Sequence, residues 1–250
     1  MRAKISQEKG GTMYGWRGKI GLLVPSTNIP AEMDAHRLAP EGVSVTTGRV
    51  RFVGEVTVET VRTHLSYLDE AADLLATAGV DVMVYGMTGG SIVKGSAGDK
   101  ELAETLQKRT GIPFITASAA MVEAFHVLGV RRVVCLAPYP GEFNTLLAQY
   151  FEAHGIQTVE IKTMNLKDVR QILRVTPYTQ YEAVKTCHLA VADGVFLSAT
   201  GWSTIDAIRL IEQALGKPVV TAIQGGIWAA LKQLGVRGSI HGFGRLLEEL

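Results

Sequence analysis

Four loops carry the side chains that could hold and activate a small anion. They are Pro25-Ser26-Thr27-Asn28, Met87-Thr88-Gly89-Gly90-Ser91, Ala137-Pro138-Tyr139 and Ala199-Thr200-Gly201-Trp202-Ser203, and each comes directly after a short apolar run. Together they offer hydroxyls, an amide, a phenol and backbone N–H groups, with glycines that let a ligand come close to the chain. None of the four contains Lys or Arg. A donor set without fixed positive charge suits one carboxylate better than a nucleotide triphosphate. Tyr139 has a geometric reason to be a proton donor, because a strand's carboxyl end presents it. Asp34, His36 and His241 are read first as surface or structural groups, and Lys94 as a partner in a surface ion pair. Trp202 could wall a pocket for an apolar substituent; it and Trp228 serve equally well as core.

The elements around these loops alternate between apolar runs and amphipathic stretches. Lys19–Pro25, Val80–Tyr85, Pro113–Thr116, Arg132–Ala137, Gln157–Ile161, Gly194–Leu197 and Pro218–Thr221 are predicted strands. Continuous apolar runs such as LLV, VVC and VFL are what parallel strands buried on both faces require. Helical spacing of Val58, Val61, Leu65, Leu68, Ala72 and Leu75 predicts one helix over Thr57–Ala78. Further helices are predicted over Gly98–Thr110, Ala119–Leu128, Glu142–Ala153 (stopped by Gly155), Tyr181–Ala192, Ser203–Leu215 and Gly226–Leu234. Ligands of such α/β sheets sit beyond the carboxyl ends of the strands, where all four loops fall.

The sequence also echoes itself. VDVMVYGMTGGS followed by GIPFITASAAMVEAFHVLGV is answered, about 110 residues later, by DGVFLSATGWS followed by GKPVVTAIQGGIWAALKQLGV. The expected fold is therefore α/β, with two similar Rossmann-like lobes of parallel sheet related by a pseudo-twofold and the active site between them. Residues 1–18 are expected to be a disordered or tag-like lead-in. Lobe 1 spans 19–130, lobe 2 spans 131–219, and the segment 220–250 packs back on lobe 1.

Bulk properties narrow the function. The 250 residues are 47% hydrophobic and 20% charged, with a net charge of +1, which leaves no basic surplus for nucleic acid or a membrane surface. No run of apolar residues is long enough to span a bilayer, and the N-terminus lacks the apolar region of a secretory signal. Cys135 and Cys187 show no metal-ligand spacing and read as small buried hydrophobes. The expectation is a cytoplasmic protein without metal or cofactor whose partner is a small carboxylate, and which can pair with its own kind.

Beyond these readings, the chain resembles the maleate isomerase and arylmalonate decarboxylase branch of the aspartate/glutamate racemase superfamily. The resemblance rests on V-P-S-T-N, G-x-T-G-G-S-I-V-K-G, L-G-V-R-R-V, the Tyr of A-P-Y, D-G-V-F-L-S-A-T-G, T-I-D-A-I, L-G-K-P-V-V and H-G-F-G-R-L-L, in that order from about Lys19 to the end. It implies cofactor-independent chemistry on a small carboxylate at the lobe interface. Racemases and maleate isomerases use two cysteines on opposite faces of the substrate, and arylmalonate decarboxylases use one. By position the two cysteine sites fall at Met87 and Ala199. The resemblance sets Thr88, Gly89 and Tyr139 on the donor side of an oxyanion nest, with the amides of Ala199 and Thr200 opposite, and Asn28 against a carboxylate. Pro25, Ser26, Gly90, Gly201 and Trp202 are further candidates for contact with substrate.

Both cysteines are absent here. A thiolate is needed to add to a double bond or to move an α-proton from both faces, and neither Met nor Ala can do so. Decarboxylase- or lyase-like chemistry through an enediolate is the leading expectation. The alternatives are an isomerase or racemase, with Ala199 an engineered Cys→Ala change, or a carboxylate-binding protein without catalysis.

Overall fold

The computed structural model describes residues 13–139 and 141–250, and the expected lead-in lies outside the described residues as far as residue 12. The first sheet is built from β1 (Gly18–Pro25), β2 (Val43–Val50), β3 (Val82–Tyr85) and β4 (Phe114–Thr116). Its helices are α1 (Pro30–Leu38), α2 (Val58–Leu65), α3 (Leu68–Ala76), α4 (Thr88–Ile92), α5 (Gly95–Thr110) and α6 (Ala117–Val127). The second sheet uses β5 (Arg132–Ala137), β6 (Gln157–Thr163), β7 (Gly194–Leu197) and β8 (Val219–Thr221). Its helices are α7 (Gly141–Glu152), α8 (Val169–Ile172), α9 (Pro177–Lys185), α10 (Ile205–Leu215), α11 (Ala222–Gln233) and α12 (Arg245–Glu248).

Every strand pair is parallel, and the two sheets have equivalent orders, β2-β1-β3-β4 and β6-β5-β7-β8. The duplicated topology is what the internal echo predicts. The central strands β1, β3, β5 and β7 are nearly all buried, as their unbroken apolar runs require. Between the sheets, α11 lies on α6 and against β3 and β4, and α6 touches β8, so each helix also packs on the other lobe's sheet.

Several boundaries differ from expectation. The single helix over Thr57–Ala78 is two, α2 and α3. Thr57 starts α2 with a reciprocal capping box to Thr60, and the hydroxyl of Ser66 donates to the Thr63 carbonyl where the helix breaks. The helix expected over Tyr181–Ala192 runs instead from Pro177 to Lys185, followed by a 3-10 turn at Leu189–Val191. The strand expected from Val80 begins at Val82. Asp81, just before it, accepts from the Lys19 N–H and donates its own N–H to the Lys19 carbonyl, which fastens the strand's entry to β1. Five elements had no prediction: α1, the short helices α4, α8 and α12, and the edge strand β2. No helix among the described residues is long and apolar enough to cross a membrane.

Candidate functional site

The carboxyl ends of β1, β3, β5 and β7 open into a cavity of about 50 Å³ between the lobes. Its polar side is made by Thr27 and Asn28 after β1, Gly89 on α4, Tyr139 after β5, and Thr200 and Gly201 after β7. Its apolar side is larger. Phe52, Val56, Val61 and Met87 come from lobe 1, and Phe143, Val169, Ile172 and Leu173 from lobe 2. The two walls are tied where they meet, since the Val56 N–H donates to the Lys167 carbonyl at 3.1 Å.

Direct hydrogen bonds set the registry of the lobes at the polar side. Asn28 Nδ2 donates to Thr200 Oγ1 at 2.9 Å, and Thr200 Oγ1 donates to the Gly86 carbonyl at 2.7 Å. Asn28 Oδ1 accepts from the Ala31 N–H at the start of α1, so one amide hydrogen of Asn28 stays available to a ligand. Arg49 donates to the Asn28 carbonyl and pairs with Glu32, and it does not line the cavity.

The first-lobe loop is tightly shaped. Met87 is extended and precedes the short helix α4, whose Gly90 and Ser91 N–H groups fold back to the Met87 carbonyl. Helix geometry leaves the N–H groups of Thr88 and Gly89 without a partner inside the turn. The buried Thr88 hydroxyl also has no partner. Under the turn lies fully buried Tyr85, which donates to Met87 Sδ at 3.5 Å. A Cβ on Gly90 would stand 2.0 Å from that phenol oxygen, so only glycine fits.

Tyr139 is half-buried, its ring 5.5 Å from Phe143, and burial holds its phenol well above the usual range. It is therefore a neutral hydrogen-bond donor at every working pH. His64 sits behind Phe52 with a ring separation of 5.8 Å, and its Nδ1 donates to the Arg51 carbonyl, which anchors the segment carrying Phe52. Burial pushes the His64 pKa down to about 4.

Of the residues singled out from sequence, Pro25, Asn28, Met87, Gly89, Tyr139, Thr200 and Gly201 line the cavity. Thr88, Gly90, Ala199 and Trp202 are buried in the same loops without forming its wall. Exposed Ser26 bonds both backbone groups of Phe52. His36 and Lys94 are exposed, and His241 is exposed beside Glu248. Trp228 is core, with Lys232 over its ring. Cys135 is buried within β5 and Cys187 follows α9, both outside the cavity, and burial pushes the Cys187 thiol up to about 11. Sequence reasoning placed Thr27 in a candidate loop without singling it out, and missed most of the apolar wall.

The arylmalonate decarboxylase family model matches residues 20–247. The chain belongs to the arylmalonate decarboxylase family. Arylmalonate decarboxylase of Bordetella bronchiseptica is 29% identical over 233 residues, covering 92% of this chain and 96% of that one. A maleate isomerase of Pseudomonas putida is also 29% identical, over 242 residues with the same coverage. Among solved structures, a variant of a Pseudomonas putida maleate isomerase with maleate aligns with a TM-score of 0.89 at 26% identity, over 93% of this chain and 98% of that chain. A liganded variant of arylmalonate decarboxylase aligns at 0.84 and 29%, over 93% and 100%. The family thus contains decarboxylases and isomerases. In this arylmalonate decarboxylase relative, no thiol reaches the cavity: Met87 presents a thioether to it, and Ala199 is fully buried.

Proposed function

We propose that this protein decarboxylates a small malonate-type dicarboxylate bearing an apolar substituent, without a cofactor. The observation that carries the reading is the division of one cavity into a donor-rich end and a larger apolar end, with no thiol in either. One carboxylate is held by the Gly89 N–H, the free amide hydrogen of Asn28 and the Tyr139 hydroxyl. The other faces the apolar wall, where loss of hydration favours departure as neutral carbon dioxide. The C–C bond breaks, its electron pair remains as an enediolate on the held carboxylate, and the donors stabilise the added charge. Such preorganised donors are commonly the largest catalytic contribution. The α-carbon then takes a proton from Tyr139, which solvent restores.

An isomerase reading has one supporting observation, the likeness to maleate isomerases. Against it stands the chemistry, since Met87 and Ala199 cannot add to a double bond. One experiment separates the two. The protein and its Ala199→Cys variant are incubated in deuterated water with alkyl- and arylmalonates and with maleate, and products are followed by proton NMR. Loss of carbon dioxide with one deuterium at the α-carbon, from the unmodified chain, is the expected result. Silence from the parent, with fumarate formed by the cysteine variant alone, would overturn it.

A further inference from the structure

The Thr200–Thr204 segment brings Thr200 and Gly201 to the cavity and enters α10, yet much of what fixes it comes from the first lobe. Thr200 is gripped by Asn28. At the other end, the Thr204 N–H donates to Asp34 Oδ2 at 3.1 Å. Thr204 occupies the N-cap of α10 but makes no side-chain cap, and its buried hydroxyl has no partner. A helix start needs an acceptor for its first N–H groups, and a carboxylate there also faces the positive end of the helix dipole. Asp34, on α1, provides that acceptor from the other lobe. Asn28 and Asp34 are joined by the first turns of α1, so one rigid element holds both ends of the segment.

The surroundings show that Asp34 is held there at a cost. It is only 2% exposed. The charges that face it are Arg37 on its own helix and Asp206 on α10, and these two pair with each other across the lobe boundary at 2.8 Å. From the second lobe, Gln180 on α9 donates to the Ser203 carbonyl at 3.2 Å and holds the far side of the same peptide unit.

We propose that Asp34 is a positioning residue that caps α10 across the lobe boundary and so fixes Thr200 and Gly201 in the cavity. This rests on the reading of that cavity as the catalytic site. Asp34 does not line the cavity; it acts through the Thr204 peptide.

Two variants test it, Asp34→Ala, which removes the acceptor, and Asp34→Asn, which keeps an acceptor without the charge. Hydrogen exchange of the 199–205 backbone reports the clamp without any reaction. Phenylacetate, a product-like monocarboxylate, reports the cavity through its dissociation constant, and the malonate found active reports kcat and KM. Losing a hydrogen bond to a charged acceptor is worth roughly tenfold or more. The expected result is faster exchange confined to 199–205 in Asp34→Ala, phenylacetate binding weaker by about tenfold or more, and kcat reduced more than KM is raised. Asp34→Asn should bring all three back toward the parent. Exchange unchanged in Asp34→Ala, or accelerated evenly over the whole chain with binding intact at temperatures well below melting, would overturn the proposal. If the parent neither binds phenylacetate nor converts any malonate, the catalytic reading fails, and the exchange pattern alone still decides the clamp.

Discussion

Asp34 and His64 are both buried, and they pull stability in opposite directions across the same pH window. His64 has a pKa of about 4 in the fold against 6.5 when exposed. Its contribution is therefore present above pH 6.5 and is lost as pH falls toward 4. Burial raises Asp34 from 3.8 to about 6, against the opposing pull of the Thr204 and Ile205 N–H groups. Its contribution is present below about pH 4 and is lost as pH rises through 6. Each difference spans about two pH units, on the order of 3 kcal/mol. Urea unfolding of Asp34→Asn at several pH values should expose the His64 slope, with stability falling by roughly 2–3 kcal/mol more than in the parent between pH 6.5 and 4. Equal slopes would mean that Asp34 has the same pKa in the fold as in the unfolded chain. Tyr139 makes a separate prediction at the same scale. Tyr139→Phe should lower kcat on the active malonate by roughly a hundredfold while leaving the melting temperature near that of the parent. A fully active Phe variant would place the proton donor elsewhere.

At the scale of elements, the turn from β3 into α4 decides how the donors are aimed. Gly90→Ala would drive a methyl into the Tyr85 phenol, and overpacking of this kind costs roughly 1–3 kcal/mol. A lower melting temperature with reduced turnover is expected. Tyr85→Phe in the same chain should recover part of each, since it removes the atom nearest the new methyl. Loss of neither property on Gly90→Ala would mean that the turn is free to shift. The buried strands were legible because parallel strands covered on both faces must be continuous apolar runs, as in VVC and VFL. The four loops were legible for the same reason, since each begins where such a run stops. By contrast, β2 is an edge strand with a polar sequence and mostly half-exposed residues, so it carries no such signature. Helix α1 had a readable sign, Pro30 in its first turn, that the loop before it obscured. The glycines of Met87–Ser91 argue against helix, and tertiary packing on Tyr85 overrides them. Phe52, Val56, Val169, Ile172 and Leu173 stand in or next to connecting segments with no periodicity to mark them, so the apolar wall became visible only when both lobes were folded together.

At the scale of the whole molecule, two sheets of the same order share one layer of helices. Since α11 covers β3 and β4 while α6 reaches β8, neither sheet is fully covered by its own lobe. A chain ended after Gly216, which lacks β8, α11 and α12, should bind a hydrophobic dye and show no cooperative melt. A sharp melt from that shortened chain would show that lobe 1 is self-sufficient. The shared layer also bears on how the protein is made. The first sheet is complete as a set of strands long before α11 leaves the ribosome, and until then its inner face is exposed. Folding of the earlier half must therefore wait for the later half, and the newborn chain passes through a period in which apolar surface destined for α11 is open to other chains.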